Sequence, residues 1–279
     1  MLAAERFEER VRAWGIRVEE TLETESSLMA FGTRGGLPVV LKVLRREGDE
    51  WWSGEALQVF EGKGTVKVYE HVGGAVLLER LVPGTELASL SFNNLDEEAT
   101  EILAGVIRQI SSATESVKAF ATVEDWGEGF GKYLASGDVQ IPKELVAQGQ
   151  RTYMQLCASQ QNVRLLHGDL QHYNVLFDAA RGWLAIDPKG VVGEVEYEIG
   201  ASLRNPYQRP ELFASPETVL RRVKQYESLL KLDAGRMLRW GFAQAVLSAI
   251  WSVEDGLAVD ARNPALMLAD AIQKLLEQI

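Results

Sequence analysis

The stretch from residue 163 to residue 190 constrains this chain more than any other. Two short apolar runs, 174–177 and 183–186, flank a turn at Gly182, and each carries a polar residue at its outer end. Asn174 opens the first run and Asp187 follows the second, so a hairpin of this length brings both to one end of a narrow ribbon. Five residues before Asn174, after a third apolar run at 163–166, Asp169 lies in the polar loop His167-Gly168-Asp169-Leu170-Gln171-His172-Tyr173. Asp and Asn that only cap turns would account for any one of the three residues. Such caps account poorly for all three in this order and context.

Phosphoryl transfer to a hydroxyl needs such a set. One carboxylate accepts the hydroxyl proton, while an Asn and an Asp hold Mg²⁺ against nucleotide phosphates. Mg²⁺ takes a few hard oxygen ligands and fills its shell with water and phosphate, so an amide oxygen and one carboxylate suffice.

The rest of the chain divides near residue 80. A charged amphipathic helix at 3–14 precedes strands at 16–22, 28–32 and 38–44, the last two joined by Arg34-Gly35-Gly36. A helix at 49–60 follows, then strands at 66–69 and 75–79 around Gly73-Gly74. Pro83-Gly84 breaks the pattern, and 80–84 reads as a hinge. Beyond it helices are expected at 95–113, 123–135, 143–160, 196–204, 216–231, 234–255 and 264–278, with strands only around the 167–187 motif. This is α+β organisation in two lobes. Residues 1–80 form a small β-rich lobe with one inserted helix, and residues 81–279 form a larger, mainly helical lobe.

Composition narrows the partners. The chain has 279 residues, 46% of them apolar, enough for a full core. Its net charge of −11 argues against nucleic acid and is compatible with a cationic small molecule, although acidity for solubility is the simpler explanation. No apolar segment is long enough to span a membrane, and the first ten residues carry charges where a signal peptide would be apolar. Cys157 stands alone, so no disulfide forms within the chain and a reducing cytoplasm is the natural setting.

Four stretches, in order, resemble the aminoglycoside phosphotransferase family, in particular its streptomycin 6-kinase and hydroxyurea phosphotransferase branch. They are Leu77-Leu78-Glu79-Arg80-Leu81-Val82-Pro83-Gly84, the loop from Leu166 to Val175, Gly182 to Gly190 with Gly193-Glu194-Val195, and Trp251-Ser252-Val253-Glu254-Asp255-Gly256. The resemblance implies a protein-kinase-like two-lobe fold, with His-Gly-Asp where protein kinases use His-Arg-Asp. It implies ATP and Mg²⁺ as cofactors, Asp169 as catalytic base, and Asn174 and Asp187 as metal ligands. Lys42, in the strand 39–44, would hold the α- and β-phosphates. Glu55 is the expected ion-pair acid orienting it, with Glu50 as rival. Adenine would lie against the backbone of the Glu79–Leu81 linker. Where protein kinases place a Gly-rich loop, Glu25-Ser26-Ser27-Leu28-Met29-Ala30 holds no Gly, which leaves Ser26 and Ser27 to cradle phosphate. Asp187 is followed by Pro188-Lys189-Gly190 rather than Phe-Gly, and 187–200 is too short for a long activation loop, so a peptide substrate is not expected.

The acceptor expected from the resemblance is a cationic small molecule bound by a monomer. Two acidic clusters are candidates for it: Glu194, Glu196 and Glu198, which share one face if the chain is extended, and Glu254-Asp255. Guanidinium groups, as in streptomycin, pair bidentately with carboxylates. Helix capping and a solvated charge run explain the same residues. Trp251 reads as core. Hydroxyurea or another small hydroxyl metabolite remains open as acceptor, as does a catalytically silent nucleotide-binding protein on the same fold.

Overall fold

The computed structural model describes residues 2–111 and 120–278. The last two residues of the helix expected at 95–113 lie outside them. Strands β1 (Arg17–Glu23), β2 (Ser27–Arg34), β3 (Leu37–Leu44), β4 (Val68–Val72) and β5 (Ala75–Glu79) form one antiparallel sheet in the order β1-β2-β3-β5-β4. Strand β3 is central and buried on both faces, which explains why it is apolar apart from Lys42. Val39, Leu41 and Val43 point to the outer face, where they pack with Ala30, Ala75 and Leu77 beneath helix α1 (Ala3–Ala13). Val40 and Lys42 take the opposite, cleft-facing side. The expected helix at 49–60 begins as a 3₁₀ turn, Asp49–Trp52, and continues as α2 (Ser53–Phe60).

The remainder is helical around two small sheets. Helices α3 (Ala88–Phe92), α4 (Asp96–Ser111), α5 (Val123–Ser136), α6 (Lys143–Cys157), α7 (Val195–Leu203), α8 (Pro216–Leu230), α9 (Ala234–Glu254) and α10 (Pro264–Leu276) match the expected set, with the short α3 added. The starts of α5, α8, α9 and α10 are fixed by side chains that satisfy free N–H groups: Thr122 with Asp125, Ser215, Asp233 and Asn263 respectively. Helix α9 is apolar almost all round between residues 237 and 250 and is buried accordingly, packed against α5, α6, α7 and α10. No described helix is long and apolar enough to cross a membrane.

Strand pairing and hydrogen bonds hold the segment expected to be the hinge. Pro83 opens strand β6 (Pro83–Glu86), which pairs with β8 (Val175–Asp178), itself paired with β9 (Gly182–Ala185). Proline is tolerated there because β6 is an edge strand. Val82 N donates to Asp178 Oδ2 (3.0 Å), and Ala179 N donates to Val82 O (2.8 Å). Arg181, in the β8–β9 turn, pairs with Glu79 and donates to Gly62 O (2.8 Å). Strand β7 (Arg164–Leu166) pairs with β10 (Val191–Gly193), an element too short to leave an alternating pattern.

Candidate active site

Strand β3 delivers Lys42 to the cleft between the large sheet and the β8–β9 hairpin. Its Nζ lies 2.8 Å from Glu50 Oε2 and 3.0 Å from Asp187 Oδ2. Burial disfavours the ammonium, but the carboxylates of Asp187 and Glu50 outweigh it and hold the Lys42 pKa above its ordinary 10.5. Glu50, not Glu55, is therefore the ion-pair acid. The 3₁₀ turn sets Glu50 against Lys42, whereas Glu55, on α2, has its carboxylate 3.5 Å from His71 Nδ1 on β4.

The hairpin does what its spacing requires. Val175 opposes Ala185, and Ile186 N donates to Asn174 O (2.9 Å), so Asn174 and Asp187 share one end of the ribbon. Asp187 holds a left-handed backbone at φ 55°, uncommon for a residue with a side chain and a mark of a tightly specified position. The Asn174 amide nitrogen donates to Asp169 O (2.9 Å) and Asp169 Oδ2 (3.1 Å). That leaves the amide oxygen as the group Asn174 can offer a metal. The other Asp169 oxygen lies 3.4 Å from Arg204, at the end of α7, and Arg204 is braced by Gln244 Oε1 (3.2 Å).

Three contacts fix the loop that carries Asp169. Gly168 has φ 82°, and a Cβ there would meet Trp126 at 2.9 Å and Val191 at 3.0 Å, so only glycine fits. His167 Nε2 donates to Ile186 O (2.8 Å), while Nδ1 accepts from Asp169 N (3.3 Å). Burial lowers the His167 pKa and keeps the ring neutral, as those two roles require. Glu198 accepts from His167 N (2.7 Å) and Gly168 N (3.0 Å). Burial pushes its carboxyl up to about 7 against the pull of those N–H groups.

A cleft of about 310 Å³ runs from Lys42 and Asp187 to residues 79–81, walled by Phe31, Val40, Leu78, Leu176 and Ile186. The Glu79 carboxylate turns to Arg181 and to Lys67 N (2.7 Å), so the linker would offer a base its backbone and not this side chain. Leu81 packs in the apolar cluster with Leu57, Val66 and Leu184. Ser26 is exposed in the β1–β2 turn. The Ser27 hydroxyl, expected to meet phosphate, is buried and lies 3.0 Å from Thr24 Oγ1, tied within its own turn.

The first acidic cluster is not an extended ribbon. Helix α7 starts at Val195, so Glu194 and Glu198, four residues apart, fall on one side of it and Glu196 does not. Glu194 is fully buried, bound by Arg236 and Trp240 Nε1 and accepting from Gln161 N (3.0 Å). With Glu198 holding the Asp169 loop, both acids serve the fold, which corrects the expectation that they face an acceptor. Glu196 is half-buried, and burial raises its pKa. Glu254 and Asp255 stand exposed at the end of α9. Trp251 is only half-buried, edge-on to Trp126 (5.9 Å) with Lys189 Nζ 5.7 Å from its ring centre. Arg204, Gln244 and the loop-holding role of Glu198 carry no local sequence signal, because each acts across the fold, on Asp169, on Arg204 and on the 167–168 backbone respectively.

The sequence profile of the family described as aminoglycoside/hydroxyurea antibiotic resistance kinase matches residues 15–256. The chain is 30% identical over 253 residues to the streptomycin 3''-kinase of Klebsiella pneumoniae, covering 86% of this chain and 90% of that protein. It is 30% identical over 283 residues to the hydroxyurea phosphotransferase of Kitasatospora aureofaciens, covering 94% of this chain and 76% of that protein. The crystal structure of a thermostable mutant of aminoglycoside phosphotransferase APH(4)-Ia, in a ternary complex with ADP and hygromycin B, has the same protein-kinase-like fold. It matches with a TM-score of 0.68 at 16% identity, over 99% of this chain and 98% of that one.

Proposed function

The chain belongs to the aminoglycoside/hydroxyurea antibiotic resistance kinase family and is a phosphotransferase with a hydroxyl acceptor, and on that premise we propose that it moves the γ-phosphate of ATP to an aminoglycoside, streptomycin first. The reading rests on one observation: Lys42 pairs with both Glu50 and Asp187 in the cleft, and Asn174, at the same hairpin end as Asp187, is hydrogen-bonded to Asp169. The base lies against the backbone of residues 79–81 and the phosphates against Lys42. Asn174 and Asp187 offer an oxygen-only donor set that suits Mg²⁺, which when bound neutralises β- and γ-phosphate charge. Asp169 takes the acceptor proton as the new O–P bond forms and the bond to the ADP oxygen breaks. Arg204 fixes the direction of Asp169. The chain acts as a monomer, and its lone Cys157 suits a reducing cytoplasm.

Hydroxyurea is the second reading. Two of the five acids expected to attract a polycation, Glu194 and Glu198, are enclosed by the protein, and a small neutral acceptor needs none of them. The test is ATP-dependent transfer with Mg²⁺ to streptomycin, other aminoglycosides, hydroxyurea and simple sugars. Transfer to streptomycin establishes the first reading, and transfer to hydroxyurea alone establishes the second. ATP binding without transfer to any of them removes both and leaves another small hydroxyl metabolite as acceptor, or a silent nucleotide-binding role on the same fold.

A further inference from the structure

Helix α1 lies on the outer face of the large sheet, away from the cleft, and no step above uses it. Arg6 on this helix donates to Gly73 O (3.0 Å) in the β4–β5 turn and to Leu44 O at the end of β3. Its guanidinium also stands 5.0 Å from the ring centre of Trp51. Trp51 belongs to the 3₁₀ turn that carries Glu50, and Leu44 lies two residues beyond Lys42. The Trp51 ring in turn presses on the β4–β5 turn, where a Cβ at Gly74 would come within 2.4 Å of it. One side chain therefore joins the strand bearing Lys42, the segment bearing Glu50 and the β4–β5 turn.

The turn needs such an anchor. A 3₁₀ turn has poor hydrogen-bond geometry and is short, and this one follows the exposed residues 45–48. Guanidinium suits the task because its planar fork reaches two carbonyls while its face meets an indole. We propose that Arg6 is a positioning residue for phosphoryl transfer, holding Glu50 against Lys42 through Trp51 and Leu44. The inference rests on the reading of Lys42 as the residue that holds phosphate. Where Glu50 drifts, Lys42 keeps only Asp187 as partner and is drawn toward the metal end of the cleft.

A double-mutant cycle tests this, with kcat and KM for ATP read separately on the full chain. Arg6→Ala should lower kcat about tenfold and change KM for ATP less than about threefold, because a misplaced charge matters most where charge moves. In a Glu50→Gln background the same change should cost less than about twofold, since the contact it serves is already gone. Arg6→Lys keeps the charge beside Trp51 but not the fork, and should give a smaller loss in the same pattern if the alanine variant does not fold. Equal losses in both backgrounds, or no loss in the wild-type background, overturn the inference and leave the functional reading standing. Failure of the wild-type chain to bind Mg·ATP overturns both.

Discussion

On the nucleotide side of the cleft, Lys42, Glu50, Asn174 and Asp187 each sit on a strand, a turn or a hairpin end that the backbone fixes, and Lys42 contacts both Glu50 and Asp187 directly. On the acceptor side, of five acids assembled by sequence, two are enclosed as structural groups, one is half-buried and two stand on the surface at the end of α9. The first side is defined by a chemistry that tolerates few residue types at few spacings. The second is defined by a ligand that can be met by many. A carboxylate near a helix start can serve the fold before it serves a substrate, as Glu194 does for Arg236 and Glu198 for the loop around Gly168.

The largest effects should separate the two sides cleanly. Asp169→Ala removes the proposed proton acceptor and should lower transfer by about 10²–10⁴-fold while ATP affinity stays within about threefold. Asp187→Ala strikes the nucleotide side and should weaken Mg·ATP binding itself, by about 10–100-fold. Calorimetry with Mg·ATP and steady-state kinetics on both variants check the division. Equal ATP affinity in the two variants would break it, and full turnover in Asp169→Ala would remove that residue from the reaction.

Glu198 lies between the two sides and should show itself through pH. An unfolded glutamate titrates near 4.5 and Glu198 in the fold at about 7. Below pH 4.5 both states hold the proton and the stabilisation from this difference is fully present. As pH rises toward 7 the unfolded chain ionises first, so that stabilisation is lost, on the order of 3 kcal/mol, and above 7 nothing more changes. Urea unfolding at pH 4.5, 6 and 8 should show this decline in the wild-type chain less Glu198→Gln. An identical pH slope in the variant would assign the decline to other groups.

The fold was legible wherever periodicity ran long enough to count. Helices α4 to α10 repeat apolar residues over several turns, and strands β3 and β5 are largely apolar runs set off by the Gly35-Gly36 and Gly73-Gly74 turns. Strands β6 and β10, three or four residues each, leave no period, and Pro83 looked like a break because proline signals one unless the strand is an edge. In the site, residues bound by local spacing, Asp169, Asn174 and Asp187, were readable together. Preferring Glu55 to Glu50 has no warrant in the sequence, because a helix from 49 to 60 favours neither and only the 3₁₀ winding of its first turn sets Glu50 on Lys42. Arg204 lies 35 residues from Asp169, and no local pattern announces a contact made by the docking of α7. The three glutamates at 194–198 were read with a strand period of two, and the helix period of 3.6 placed them otherwise.

The smallest effect decides what remains of the acceptor side. Glu254 and Asp255 close α9, where the helix dipole presents partial negative charge and disfavours carboxylates. Helix capping, which explains acids at a helix start, therefore does not explain these two, and solubility or a cationic ligand is left. Glu254→Lys should raise KM for streptomycin about threefold at low salt, less at high salt, and leave hydroxyurea kinetics unchanged, since exposed charges act weakly and are screened. Its melting temperature should hold or rise slightly, because the substitution relieves an unfavourable helix end. Unchanged streptomycin KM at low salt would shift acceptor recognition from the surface acids to half-buried Glu196 and the Trp126–Trp251 pair. The acceptor side would then resemble the nucleotide side after all, with few groups, each fixed by the fold.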